Sequence, residues 1–429
     1  YFVSKYKGFK DPFYNENLSK ENMTMPVRAD NFSHKGSVKG IRILLISHNF
    51  TLTGAPLVAL EFAKQYKANE NIEVTVLTLE DGDVGELYKE SGIKVLVIEG
   101  IAINLVRSKG FEEMLEKINT IDVANTFDLV VCNSLAAFWG VLLANKNGIP
   151  SILHVHESTG VESYSRTFLD ISMRELINRA CLTANRVVFQ AEATRHNYIE
   201  LEDNRNFLTS PGGVPLSKIV DFKKSNNKAD LRTRYGLSKD EIIVSIIGTT
   251  CERKGQEVFL RAVDVLIANK KLQNNVKFLI VGAVDGPYLS MLRKMIHDMD
   301  LSSVQLVEET PGIYDYFAMS DIFVCASYQE SFPMVVLLAM AFQLPIISTG
   351  VYGVPEIITH NHDAILVPPG DPIALSAAIS NLLEQPETAS LFAARAYAKV
   401  CRLFDSQGQY ERNIELVAKV AMEESFGGP

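Results

Sequence analysis

The sequence is poor in the residues that would staple or anchor it by special means. It has one tryptophan and five cysteines in 429 residues. The cysteines, Cys132, Cys181, Cys251, Cys325 and Cys401, form no Cys-x-x-Cys pair and no cluster with histidine, so neither a disulfide framework nor a structural zinc site organises the fold. Cys132, Cys325 and Cys401 close strongly apolar runs, which reads as buried free thiols in a reducing compartment. No apolar run approaches the roughly 20 residues that span a bilayer; the longest, 335–347, is broken by Gln343 and Pro345. An excess of positive charge is also missing. Lys plus Arg number 42 against 51 Asp plus Glu, a formal charge of −9, which argues against nucleic acid as a partner and against general attraction to anionic lipid. The chain opens on a polar, aromatic stretch without a signal peptide or an initiating Met, and is read as cut from a longer polypeptide that carries further domains.

What the sequence does have is a regular alternation. Residues 1–39 show turns at 11–15 and 35–37 but no period, and are read as a leader or interdomain segment. From Ile41 onward, short continuous apolar runs alternate with amphipathic stretches. The runs at 41–47, 74–79, 95–98, 129–132, 152–155 and 187–189 predict strands buried on both faces, and stretches such as 54–67 and 135–146 predict the helices between them. The turn-rich Ser210-Pro211-Gly212-Gly213-Val214-Pro215 ends this series. A second begins at 242–247 and continues at 278–281, 304–307, 322–325, 345–348 and 364–367, followed by a helical tail broken near Asp405-Ser406. The chain is therefore expected to be α/β, with two doubly wound, Rossmann-like parallel-sheet domains at 40–215 and 216–405 facing a central cleft. The helix at about 406–425 is expected to pack back on the first domain.

Four segments follow strand ends and carry candidate chemistry. In Gly248-Thr249-Thr250-Cys251-Glu252-Arg253-Lys254-Gly255, two cations stand beside a helix start, which suits either a diphosphate or a solvated loop. Its order is that of neither a P-loop nor a Gly-x-Gly-x-x-Gly fingerprint, which counts against a dinucleotide-dependent oxidoreductase. In Ser327-Tyr328-Gln329-Glu330-Ser331-Phe332-Pro333-Met334-Val335-Val336, the carboxylate of Glu330 precedes an apolar helix. Pro333 suits the first helical turn, and the N–H groups of Met334 and Val335 are left for phosphate or sugar oxygens. His154 and His156 share one strand face, without the further ligands a metal would need. Ser47–Pro56 is the first strand-to-helix loop, where Gly54 allows close backbone approach to a ligand.

In this order and spacing, the segments resemble the retaining family-4 glycosyltransferases of the GT-B fold, over residues 41–420. Gly54-Ala55 resembles that family's glycine loop, and His156 its histidine near the anomeric carbon. Gly248–Gly255 resembles its phosphate-binding segment, and the stretch from Glu330 its Glu-x7-Glu motif. Residues 349–357 resemble its Gly-x-Pro-Glu turn, and 363–371 the strand and turn that follow.

The resemblance implies transfer of a sugar, with retention, from a UDP- or GDP-type donor to a glycan, lipid-linked or protein hydroxyl, as in bacterial surface polysaccharide or glycoconjugate synthesis. His156, Glu330, Lys254 and Arg253 would be catalytic. Gly54, Ala55, Gly248, Thr249, Thr250, Ser331, Phe332, Pro333, Met334 and Val335 would hold the donor. No metal and no resident cofactor are implied, the nucleotide sugar being a co-substrate. Cytoplasmic placement follows, with peripheral attachment at the inner face of the membrane left open. Two departures stand out. Leu338 occupies the place of the motif's second Glu, which grips the ribose, so Glu308, Glu309 or Glu356 would have to serve. Thr249 and Thr250 stand where the family often has Arg, so Arg253 would supply that charge. Leu338 also supports an alternative, a catalytically weakened GT-B binding protein or partner subunit. A sugar-nucleotide epimerase of the same fold would need an acid–base set that the sequence does not display.

Overall fold

The computed structural model describes residues 40–51, 54–101, 110–201, 206–269 and 275–423. The leader 1–39 lies outside the described residues, as do Leu52 and Thr53 in the first loop. The chain divides into two compact units. The first comprises 40–210 and 410–423 of the described residues, the second 211–409.

The first unit is built on β1 (Ile41–Ser47), β2 (Ile72–Thr78), β3 (Lys94–Val97), β4 (Leu129–Asn133), β5 (Ser151–Val155), β6 (Arg186–Phe189) and β7 (Phe207–Thr209). The second is built on β8 (Ile242–Ile247), β9 (Val276–Ala283), β10 (Val304–Glu308), β11 (Ile322–Cys325), β12 (Ile346–Thr349) and β13 (Ile365–Val367). Every strand pair is parallel. The twelve apolar runs each become a strand. β7 is the addition, a three-residue edge strand paired only with β6, too short and too partly exposed to register as an apolar run.

The sheet orders are β3-β2-β1-β4-β5-β6-β7 and β10-β9-β8-β11-β12-β13. Each order reverses once, between β1 and β4 in the first unit and between β8 and β11 in the second. At such a point the loops from the two neighbouring strands leave toward opposite faces and open a crevice at the carboxyl ends, where open α/β sheets bind ligands. The sequence reveals the strands but not their order.

Helices cover both sheet faces because their apolar positions recur at helical spacing. In the helix Gly54–Ala68, the buried Ala59, Leu60, Phe62, Ala63 and Tyr66 line one stripe. They share a core with Ile43, Leu45 and Val76 and with Val417 and Val420 of the last helix, Ser406–Val420. Asn413 of that helix donates to the Tyr66 hydroxyl at 2.9 Å, and Glu423 pairs with Arg186 at 2.6 Å. In the second unit Val258, Phe259, Leu260, Val263 and Leu266 of the helix Gln256–Ala268 pack on Val244, Phe278, Ile280 and Val324.

All five cysteines are free thiols. Cys132, Cys181 and Cys325 are buried, Cys251 is half-buried and Cys401 is exposed. The expectation of burial fails at Cys401 because Ala389, Phe392, Ala393, Ala396 and Val400 form the inward stripe of its helix, and the next residue turns about 100° away from it. Among the described residues no helix is long and apolar enough to cross a membrane.

Candidate functional site

In the second unit, the segment after β8 and the segment after β11 meet at the switch point. Gly255, at φ +67°, turns the chain into the helix Gln256–Ala268. Its backbone lies so close to the end of β11 that a Cβ there would fall 2.2 Å from the Ala326 carbonyl oxygen. The backbone N–H of Tyr328 donates to the Arg253 carbonyl at 2.8 Å, and the Arg253 guanidinium donates to the Gln329 carbonyl at 2.9 Å. This latch brings together side chains 76 positions apart. Lys254 Nζ donates to Glu330 Oε1 at 2.6 Å, Arg253 Nη1 lies 3.5 Å from Glu330 Oε2, and Ser327 Oγ donates to Glu330 Oε1 at 2.8 Å. Glu330 is 6% exposed. Burial alone would raise its pKa, but the charges of Lys254 and Arg253, with the hydrogen bonds from Lys254 and Ser327, outweigh burial and hold the carboxyl below its ordinary range. Two cations therefore surround one ionised carboxylate. An ammonium carries three N–H donors, so Lys254 retains two for a second anion.

The helix Met334–Ala341 begins immediately after this cluster. Pro333 stands one residue before the helix rather than in its first turn, because its ψ of 110° is extended. Val336 N–H bonds back to the Pro333 carbonyl at 3.0 Å, so Met334 and Val335, both half-buried, head the helix with no acceptor inside it. Ser331 is buried. Phe332 is also buried, its ring packed edge-on against Phe404 with centroids 5.6 Å apart, so only its backbone is available to a ligand.

Gly248 sits at φ +151°, a conformation few side chains tolerate. Thr249 Oγ1 donates to Glu309 Oε1 at 2.9 Å, which brings one of the carboxylates considered for ribose beside the phosphate-segment candidates. Thr250 is occupied differently: its hydroxyl accepts from Val284 N–H at 3.0 Å and is buried, so it braces the loop and offers a ligand little. Glu308 and Glu356 are exposed, Glu356 in the short helix Val354–Ile357. The turn before that helix is tied to the cluster by Gly353 N–H to the Glu330 carbonyl at 3.4 Å, and within it Tyr352 adopts a left-handed φ of 44°. Leu338 is 7% exposed and offers no polar atom.

The first unit has its own candidate site at the β1/β4 switch point. Gly54 opens the helix Gly54–Ala68, and among the described residues no atom beyond its chain neighbours and its own helix backbone lies within 4 Å of where its Cβ would be. Its backbone does not demand glycine; what the missing side chain provides is open space. His156 Nε2 lies 2.9 Å from Asn133 Oδ1, and Asn133 Nδ2 donates to the Ala55 carbonyl at 2.7 Å. The ring of His154, which is buried, stacks on that of His156 at 6.3 Å. Burial pushes the His156 pKa down to about 4, against an upward pull from the Gln190 side chain. Burial, aided by the neighbouring His156, pushes His48 to about 4 and His154 to about 3. All three rings are therefore neutral at pH 7. Among the described residues no group of His, Cys, Asp and Glu could hold a metal ion.

Sequence reasoning gave no role to Asn133, Glu157, Ser327 or Gln256. Glu157 accepts from Ser134 Oγ at 2.7 Å, from Leu135 N–H and from His156 N–H at 2.9 Å. Gln256, 1% exposed, reaches from its helix start toward the Gly248 and Thr249 carbonyls at 3.5 and 3.3 Å. The place of Asn133, Glu157 and Ser327 just beyond predicted strand ends, and of Gln256 at a helix start, is the one signal that could have singled them out.

Fold and site together define a two-domain GT-B protein whose second domain carries an anion-ready cluster at its switch point. Residues 227–399 match the family described as glycosyl transferases group 1, and residues 52–218 match glycosyltransferase family 4. The chain belongs to the family-4 glycosyltransferases. It is 26% identical over 280 residues to a D-inositol 3-phosphate glycosyltransferase of Streptomyces scabiei, covering 62% of this chain and 61% of that protein. It is 23% identical over 323 residues to the UDP-Gal:alpha-D-GlcNAc-diphosphoundecaprenol alpha-1,3-galactosyltransferase of Escherichia coli, covering 74% of this chain and 81% of that protein. The chain thus spans less than two thirds of the first of these relatives. Among solved structures, Alr3699/HepE of Anabaena, crystallised with UDP and glucose, superposes with a TM-score of 0.75 at 21% identity, over 88% of this chain and 99% of that one, a likeness of fold.

Proposed function

We propose that this chain transfers a sugar from a UDP- or GDP-type donor to an acceptor hydroxyl with retention of the anomeric configuration. The observation that carries the reading is the Lys254–Glu330–Arg253 cluster at the switch point, with the start of the helix Met334–Ala341 beside it. The bond from the anomeric carbon to the diphosphate breaks, one to the acceptor oxygen forms, and the proton of the acceptor hydroxyl passes to the departing diphosphate oxygen. The leaving diphosphate gains charge as this happens, and fixed cations aimed at developing charge lower the barrier without reorganising. Lys254 and Arg253 take that role, joined by the N–H groups of Met334 and Val335 and by the backbone at Gly248, Thr249 and Ser331. Glu330 orients the donor sugar through lone pairs that its two cations do not use. Glu309, beside Thr249, is the better placed substitute for the ribose contact that Leu338 cannot make; Glu356 is the other. In the first domain Gly54 and Ala55 serve the donor and His156 the reacting sugar, by likeness to the family. The acceptor is a hydroxyl on a glycan, a lipid-linked intermediate or a protein, in the assembly of a surface polysaccharide or glycoconjugate. No metal enters, because two side-chain cations and helix-start N–H groups already face the diphosphate.

The test is a mass-spectrometric assay of the purified chain with UDP- and GDP-sugars and a panel of acceptor hydroxyls, followed by NMR of the anomeric proton in the product. The expected result is one donor consumed and its configuration kept. An inverted product would overturn retention, and hydrolysis or epimerisation without an acceptor would overturn transfer. Leu338, apolar and buried, favours one second reading, a partner subunit that has lost turnover; such a subunit would consume no donor in this assay.

A further inference from the structure

We propose that Asn133 is a positioning residue that fixes His156 in its Nε2–H form and ties the ring to the start of the helix Gly54–Ala68; this rests on the reading that His156 serves the transfer. Asn133 ends β4, fully buried, and in the sheet it stands opposite Ser47 of β1 on one side and His154 of β5 on the other. Its amide has no freedom to flip. The Ala55 carbonyl can only accept, so the amide NH2 must face it at 2.7 Å. The amide oxygen then faces His156 Nε2 at 2.9 Å. That oxygen can also only accept, so Nε2 must carry the proton. In a neutral ring, Nδ1 is then the bare nitrogen, an acceptor and not a proton donor. Gln190, whose amide can present either end, can follow the form that Asn133 sets.

The surroundings keep the ring neutral. The groups facing it are His154, stacked on it, His48 and Gln190, and Glu157 follows it in the chain. Both histidines are themselves held uncharged by burial. Glu157 accepts from Ser134 Oγ, Leu135 N–H and the His156 backbone N–H. Ser134, directly after Asn133, is held at φ 101° and ψ 150°, a region nearly reserved for glycine. Glu157 thus clamps the backbone on both sides, after Asn133 and at His156, in a conformation the chain would not hold alone. The junction is fixed by several independent bonds, as a positioning device requires.

The experiment is long-range 1H–15N correlation NMR of the full chain labelled at its histidine rings, with His156→Gln to assign the signal. In the wild type, His156 is expected as the Nε2–H form at pH 7, without titrating above about pH 5. In Asn133→Ala the ring should populate both forms. In Asn133→Asp, a carboxylate beside the ring should raise its pKa by about one unit or more, and kcat should fall by about tenfold or more while KM changes less. An Nδ1–H form in the wild type would overturn the proposal whether or not either variant folds. So would an unchanged form and pKa in Asn133→Ala. The NMR reading does not depend on turnover. A chain that transfers no sugar yet shows the expected form refutes the activity and not the role of Asn133.

Discussion

Lys254→Ala is expected to lower kcat/KM for sugar transfer by about two to three orders of magnitude, the usual cost of removing one preorganised group from developing charge. It should also destabilise the second unit by about 3–5 kcal/mol, because it leaves Glu330 buried with Arg253 and Ser327 as its remaining partners. The two losses separate by pH. In the wild type the Glu330 pKa lies below its unfolded value, so its contribution to stability is present above about pH 4.3 and is lost as pH falls through the folded pKa. In Lys254→Ala, burial becomes the dominant influence and the folded pKa moves above the unfolded one. The sign then reverses, and stability is lost as pH rises through that value. The melting-temperature gap between wild type and variant should therefore widen from pH 4 to pH 7 in calorimetric scans. The double variant Lys254→Met/Glu330→Leu should regain much of the stability, since well-packed apolar groups replace buried ion pairs at little cost, and none of the activity. A gap that stays constant with pH, or a double variant that regains transfer, would contradict the role given to this pair.

Gly255→Ala is expected to be among the most damaging methyl additions in the second unit. Two costs add. A left-handed φ of +67° costs an L residue about 1–2 kcal/mol. The added Cβ would also lie 2.2 Å from the Ala326 carbonyl oxygen, a backbone atom that cannot swing away. Either the 248–255 segment lifts off β11, or the strand end shifts. Gly236→Ala is the control, because Gly236 shares the positive φ, at +72°, but nothing lies within 4 Å of its Cβ position. For a domain of this size, each kcal/mol lowers the melting temperature by about 2–4 °C. Gly236→Ala should cost about 2–8 °C on that scale, and Gly255→Ala clearly more, with Lys254 displaced from Glu330 and donor binding weakened. Equal effects at the two glycines would mean that the close approach to Ala326 carries no weight.

Much of this fold was legible in the sequence because burial on both faces writes parallel strands as continuous apolar runs. β7 escaped because an edge strand of three residues needs little apolar character. The candidate site was legible only in pieces. Arg253, Lys254 and Glu330 could each be marked as polar residues past a strand end, but their meeting depends on β8 and β11 being neighbours, and strand order leaves no trace in local periodicity. For the same reason Asn133 could not be linked to His156, nor Thr249 to Glu309. Phe332 and Thr250 show the opposite failure. Their positions suited a ligand, but the core and a neighbouring loop had already engaged their side chains. Cys401 was misjudged by reading hydropathy along the chain where the face of a helix decides exposure.

The measurement that bears most directly on the central claim is a calorimetric titration of UDP and of GDP into the full chain, beside Lys254→Ala and Glu330→Ala. The cluster at the β8/β11 switch point is predicted to bind one of the two nucleotides, and Lys254→Ala to weaken that binding by about tenfold or more, the loss of one charge-assisted contact. A wild-type chain that binds neither nucleotide, or variants that bind as tightly as the wild type, would contradict the assignment of this cluster as the donor diphosphate site.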